Sequence, residues 1–406
     1  MRPRAFLTTL VVTMAMITSA NNTTAATTML RVAAFNASLT GDQHVGRGEP
    51  VTGTELFARL AAGDNARIRN IAEIIQRVRP DILLLNEFDY TPEPDLGVNA
   101  FRSNYLQRPQ NGADPVDYPW FFTAPVNTGV DSGLDLDGDG IASGKGQDAL
   151  GYGLYPGHYG MLVLSRYPID AASVRSFRQL LWRDMPGNLL AEIRTPDGEP
   201  WYSPAAQAIL PLSSKSHWDV PVQVGTHTVH LLASHPTPPV FDGPEDRNGK
   251  RNHDEIRFWN DYLTGGDRAA WIADDQGGRG GFDGGLFIIA GDLNASPVEG
   301  DAIPAAVRNL LQHPRVDAAT VPTSVGGAAQ QPDNPHAAAH TASWSGGLRG
   351  LRVDYVLPAA SPRWRVIDAG VFWPASDDPH SRLVRDPQQS SDHRLVWMDL
   401  EFQPLP

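Results

Sequence analysis

The 406-residue chain contains no cysteine. Thiolate catalysis, cysteine-ligated zinc and a disulfide framework are therefore excluded. Stability has to come from an ordinary core, for which 41% hydrophobic content in a chain of this length is ample. Lysine is nearly as scarce: Lys145, Lys215 and Lys250 are all there are. With 33 basic residues against 46 acidic ones, the net charge is −13. The basic footprint of a protein that grips long nucleic acid is missing, whereas acidity suits divalent cation binding and solubility outside the cell. Beyond the N-terminal region no stretch is apolar enough to span a bilayer. No G-x-S-x-G elbow occurs, which weakens a serine-hydrolase reading. No internal repeat is visible, and no motif specifies an oligomeric state.

At the N-terminus, Arg2 and Arg4 precede an apolar, uncharged run, Ala5–Ala20, followed by small residues. This reads as a secretory signal peptide over residues 1–26, with cleavage expected after Ala20, Ala25 or Ala26. The absence of an Arg-Arg pair favours the general secretion route. A secreted or periplasmic location is expected, with residues 27–406 forming one domain.

The rest is organised around Leu286–Pro297, L-F-I-I-A-G-D-L-N-A-S-P. Four consecutive apolar residues suit a strand buried on both faces. Asp292 and Asn294 follow at once, and residues two apart at a strand end point the same way. Three other stretches place polar groups beside apolar runs: Arg31–Ser38 (R-V-A-A-F-N-A-S), Pro80–Asp89 (P-D-I-L-L-L-N-E-F-D), and Leu351–Pro358 with Ser391–Leu395 (L-R-V-D-Y-V-L-P and S-D-H-R-L). Glu87 is a carboxylate just past a buried strand, and Asn36 offers a neutral oxygen. Oxygen-only ligands favour Mg²⁺ or Mn²⁺ over zinc.

Between strand-like segments lie helical patterns. Asp64 or Asn65 can cap a helix carrying Ile68, Ile71, Ile75 and Val78, and Asn252 or Asp254 can cap one running to Leu263. Helices are also expected over Thr54–Ala62 and Asp301–Leu311, and strands over Val222–Gly225, Thr228–Ser234, Arg352–Leu357, Val366–Phe372 and Leu395–Leu400. Thr320–Ser345 reads as a loop. The architecture expected is an α/β sandwich of the α+β kind, two packed, mainly antiparallel sheets flanked by helices, with polar strand ends meeting at one rim. Insertions at about 91–157, 171–222 and 236–251 interrupt it. The first carries D-L-D-G-D-G, in which Asp135, Asp137 and Asp139 with Gly140 match the start of an EF-hand-type Ca²⁺ loop. The twelfth place is Gly146 rather than Glu, so Asp131 or Asp148 would have to substitute.

Taken in order, these motifs resemble the endonuclease/exonuclease/phosphatase superfamily, which includes pancreatic deoxyribonuclease, abasic-site endonucleases and neutral sphingomyelinases. The resemblance spans roughly Leu30 to Phe402. It implies a sandwich fold and metal-dependent phosphoester hydrolysis. Carried over residue by residue, it pairs His393 with Asp354 and turns Asp392 toward the metal site with Asn36 and Glu87. His393 becomes general base or transition-state stabiliser, Asp292 orients or deprotonates the water, and Asn294 holds a phosphoryl oxygen. His235, in L-L-A-S-H-P, matches the histidine that assists the leaving group. The insertions bring Lys215, His217, Arg247, Arg251 and His253, which are expected to wall in a phosphate pocket. A small phosphoester is the expected substrate. A secreted DNase or RNase is the alternative within the enzyme class, and a calcium-stabilised binding module the alternative outside it.

Overall fold

The computed structural model describes residues 29–46, 48–344 and 349–403, so the signal-peptide expectation lies outside the described residues. The chain opens with strand β1 (Met29–Leu39), then helices α1 (Glu55–Ala62) and α2 (Ala66–Val78) and strand β2 (Ile82–Phe88). Asn65 caps α2, its Oδ1 accepting from the Ile68 amide at 3.1 Å. Ile68, Ile71, Ile75 and Val78 are buried, as the spacing expects. Burying such side chains stabilises by about 1.5–3 kcal/mol each. Arg79 ends the helix in a left-handed conformation, its amide bonded back to the Ile75 carbonyl.

Next come α3 (Val98–Phe101), β3 (Trp120–Phe122), β4 (Met161–Ser165), β5 (Arg175–Ser176), α4 (Pro204–Ile209), β6 (His217–Val224), β7 (His227–Ser234) and α5 (Arg247–Thr264). β8 (Leu286–Asp292), α6 (Ala305–Leu311), α7 (Val325–Gln330), β9 (Ala342–Trp344), β10 (Arg349–Leu351), β11 (Asp354–Pro358), β12 (Trp364–Val371) and β13 (Val396–Phe402) complete the order.

Two sheets form the sandwich. One runs β12-β13-β1-β2-β4-β3, the other β11-β8-β7-β6-β5, and β9 and β10 pair antiparallel as a separate two-stranded sheet. Among the described residues only the β1–β2 and β7–β8 strand pairs are parallel, and each is joined through helices, as a parallel crossover requires. β1, β2, β8 and β11 face one another across the core, where one hydrophobic cluster joins both sheets. α5 lies on the second sheet: Trp259 Nε1 donates to Ser234 Oγ at 2.9 Å and Tyr262 donates to Asp219 at 2.6 Å.

The strand directions bring the polar ends together. In the parallel β1–β2 pair Asn36 lies opposite Asn86, so Asn36 and Glu87 emerge at the same end. In the antiparallel β8–β11 pair Asp292 lies opposite Asp354. Asn86 ties the sheets at this rim, donating to the Ser234 carbonyl at 3.2 Å and accepting from the Asp292 amide at 3.0 Å.

Four local expectations change. α5 begins at Arg247, not at a cap on Asn252 or Asp254. Both residues are buried inside the helix, Asn252 donating to the Thr237 and Leu293 carbonyls and Asp254 accepting from Trp182 Nε1. β6 begins five residues early, at His217, despite Pro221 within it. Thr320–Ser345 contains α7 and β9 rather than only loop. Finally, the first two insertions are packed structure, with Leu136 of one against Ala206 and Leu210 of the other.

Candidate active site at the sandwich rim

A cleft of about 890 Å³ opens where the polar strand ends meet. Ser38, Glu87, Asp292, Asn294, Asp392 and His393 line it. Backbone strain is concentrated here. Among the described residues eight non-glycines have positive φ, and five of them, Ser38, Glu87, Tyr159, Phe241 and Asn294, line this cleft. Such conformations cost about 1–3 kcal/mol each and persist where surrounding structure holds a side chain to a task.

Asp292 is the hub. Its Oδ1 accepts from the Asn294 amide at 2.8 Å and its Oδ2 from Asn36 Nδ2 at 3.0 Å. His235 Nε2 approaches the same Oδ2 at 3.4 Å and His393 Nε2 at 3.7 Å. Burial alone would raise the Asp292 carboxyl, but the His393 charge and the bonds from His235 and Asn36 hold it well below the usual carboxylate range. His393 Nδ1 meets Asp354 Oδ2 at 2.9 Å, and both residues are buried. Burial opposes the imidazolium, yet the charges of Asp354 and Asp292 raise His393 well above its ordinary value. An imidazolium so held is a donor, not a base. His235 differs: burial and the Lys215 charge lower it to about 4, so it is neutral at pH 7.

Glu87 and Asp392 form a second group of oxygens. Asn36 Nδ2 donates to Glu87 Oε1 at 3.0 Å, while Ser38 Oγ and Trp344 Nε1 donate to Asp392 at 3.4 and 2.9 Å. Burial and then the Asp392 charge push Glu87 up to about 7. Two carboxylates that repel at the floor of a cleft suit a hard divalent cation, which oxygen donors favour. Asn36 here bridges Glu87 and Asp292 through its N–H₂, and its oxygen accepts from the Ser38 amide at 3.2 Å. Ligand atoms of Asp292, Asp354 and His393 also lie within 4.8 Å of one another. With His393 cationic and bonded to Asp354, that trio reads as a hydrogen-bonded unit rather than a metal cage.

The five cations and imidazoles expected to wall the pocket lie elsewhere. Lys215 is buried behind the site, within the fields of Glu255, Glu87 and Asp292. His217 is fully enclosed, its Nε2 donating to the Glu255 carbonyl at 2.9 Å and its ring against Phe258 and Trp259. Arg251 spends its donors on the Leu212, Leu150 and Pro211 carbonyls. Arg247 pairs with Glu245 over the Trp201 ring, and His253 pairs with Asp254. Of the three insertions, only 236–251 reaches the cleft, through Pro238–Phe241. The other two pack on each other and on α5 instead.

Several lining residues escaped the sequence reading. Arg67 lies among the helical spacing of Ile68, Ile71, Ile75 and Val78, and Ser38 at the end of R-V-A-A-F-N-A-S, but neither was assigned a role there. Tyr159 and Trp344 carried no motif at all. In the insertion loop, ligand atoms of Asp135 and Asp137 come together with those of Asp148, the proposed substitute, while Asp139 is not part of that group.

The model of the endonuclease/exonuclease/phosphatase family matches residues 53–393. The chain belongs to the endonuclease/exonuclease/phosphatase family. Members of this family are metal-dependent phosphoesterases and nucleases. Among solved structures, an endonuclease/exonuclease/phosphatase from Beutenbergia cavernae aligns at 17% identity over 93% of this chain and 72% of that one, with a TM-score of 0.46. Sphingomyelinase C from Streptomyces griseocarneus aligns at 15% identity over 92% and 99%, TM-score 0.41. A beta toxin variant from Staphylococcus aureus with bound magnesium ions aligns at 13% identity over 91% and 99%, TM-score 0.41. No curated protein sequence matches this family member. No helix among the described residues is long and apolar enough to cross a membrane.

Proposed function

We propose that this family member hydrolyses a small phosphoester by direct attack of water, using Mg²⁺ or Mn²⁺ held by Glu87 and Asp392 with Asn36 beside them. The observation that carries the reading is the convergence of two imidazoles on one ionised carboxylate, Asp292, next to that pair of oxygens. When bound, the metal polarises a phosphoryl oxygen and acidifies water.

The chain's own groups divide the remaining work. Asp292, ionised at the centre of the group, is assigned to orient the attacking water and receive its proton as the bond to phosphorus forms. His393, kept cationic by Asp354, stabilises charge as it grows on the phosphoryl oxygens. Asn294 anchors its amide nitrogen on the Pro236 carbonyl at 3.1 Å, which supports a role for its oxygen and backbone in seating the phosphate. His235 is assigned to the leaving-group side. Lys215, enclosed behind these carboxylates, offsets their charge without touching substrate. As finer parts of the same proposal, the Ala5–Ala20 run supports export, and the Asp135–Asp137–Asp148 group supports a structural Ca²⁺.

The test is hydrolysis of p-nitrophenyl phosphate and bis(p-nitrophenyl) phosphate after chelation, then with Mg²⁺ or Mn²⁺ restored. Chelation should abolish turnover and the metal should return it, while Glu87→Gln stays folded and loses most of it. Full activity in excess chelator, or no turnover of either ester with any divalent cation, would sink the reading.

A further inference from the structure

Arg67 stands in the first turn of α2, and among the described residues it is the only lysine or arginine that lines the cleft. It is 8% exposed. Its donors are poorly used. Nη1 reaches the Pro387 and Gln388 carbonyls at 3.1 and 3.4 Å, and Nη2 the Ser38 carbonyl at 3.5 Å. Nε is buried with no partner. Glu87, Asp392, Asp42 and Asp386 act on it only through space, and none pairs with it.

A guanidinium presents five N–H donors in a rigid fork and has no acceptor. Buried, such a group is costly to leave half-satisfied, and a carboxylate or phosphate is its strongest partner. Here the long bonds to three carbonyls hold the side chain in place and leave a cation facing the Glu87 end of the cleft. We infer that Arg67 is the anion-recognition residue of this site and selects substrates with a terminal, doubly charged phosphate. The inference rests on the phosphoester reading above and narrows it to monoesters. A diester group has two non-bridging oxygens and one charge, which a divalent cation and His393 already meet. A terminal phosphate has a third oxygen and a second charge, and Arg67, whose Nη2 makes only the 3.5 Å bond to Ser38, is the remaining lysine or arginine at the cleft wall among the described residues.

The experiment compares the full Mg²⁺-loaded protein with Arg67→Gln and Arg67→Lys. kcat/KM is measured on p-nitrophenyl phosphate and on bis(p-nitrophenyl) phosphate, and the Tm rise caused by inorganic phosphate is measured separately. Arg67→Gln should lower the monoester-to-diester ratio by about 10- to 100-fold, the range for losing bonds to a charged group, chiefly through KM. It should also remove the phosphate-induced Tm rise. Arg67→Lys, which keeps the charge and loses the fork, should show the same selective loss at smaller size, and it serves if the Gln variant does not fold. Equal losses on both esters, or a phosphate response in the variants equal to that of the parent, would overturn the assignment. If the parent hydrolyses neither ester, the phosphoester reading has failed. The phosphate response still decides for or against Arg67 as an anion site.

Discussion

His393 and Asp354 illustrate how a single hydrogen bond can be a unit of function. Removing the imidazole in His393→Ala should lower turnover by roughly 10²–10³-fold, as losing one donor to the developing phosphoryl charge does. Asp354→Asn should cost less, since it weakens the cation without removing the ring. Two residues joined by one bond act together, so the double variant should lose less than the product of the single losses. A double variant whose losses simply multiply would show that the pair does not work as one. The pair was legible through the family resemblance that D-Y and S-D-H carry, which implied it. The basic residues were not legible in the same way. Lys215 and Arg251 sit in segments that read as loops, and a charge in a loop suggests exposure. Both are instead buried, Arg251 with three backbone carbonyls around it. Arg67 shows the reverse: the helix was legible, but that its first turn forms cleft wall is fixed only by how α2 packs.

At the level of elements, the site depends on how closely β7 and β8 approach at their ends. Gly291 has φ +144°, and a Cβ there would lie 2.1 Å from the Ser234 carbonyl oxygen. Backbone cannot move aside as a flexible side chain can. Gly291→Ala should therefore destabilise by about 1–3 kcal/mol, as overpacking does, and should lower activity further by displacing Asp292. A variant with parental Tm and kcat would show that the junction is not tight. This explains the glycine of G-D-L-N physically, which the sequence pattern alone did not. The central strands and α2 were legible from uninterrupted apolar runs and from three-and-four spacing. The start of α5 was not, because Asn252 and Asp254 look like caps and are used for tertiary bonds inside the helix. The acidic insertion loop makes a separate prediction. Asp148 already orders it by accepting from the Leu136 amide at 2.7 Å and the Ser143 amide at 2.9 Å. If it binds Ca²⁺, calcium should raise Tm by mass action, and Asp137→Ala should remove that increment while leaving turnover largely in place. An equal calcium response in the variant would put the ion elsewhere.

For the molecule as a whole, charge and cleft shape decide the size of substrate. The net charge of −13 repels a long polyanion at a distance. The two long insertions do not narrow the rim, as the sequence reading expected. The walls come instead from Pro238–Phe241, Ser296, Glu299–Ala302, Asn334 and Pro387–Gln388. Glu299 on that wall is a carboxylate, bonded to His340 at 2.9 Å, and Phe241 stands 81% exposed at the lip. Neither is a phosphate-backbone contact. A cleft of about 890 Å³ is of the size that encloses a small molecule. A nuclease that engages six to ten phosphates loses about 10³–10⁵ in affinity between 50 and 200 mM salt, whereas one lysine or arginine at the cleft corresponds to only roughly three- to fourfold. Turnover of a small phosphoester should therefore fall by no more than that factor over the same range, and duplex DNA should compete poorly with it. Plasmid nicking at low enzyme concentration with a steep salt dependence would overturn this. It would mean that a basic path outside the cleft, not the cleft itself, selects the substrate.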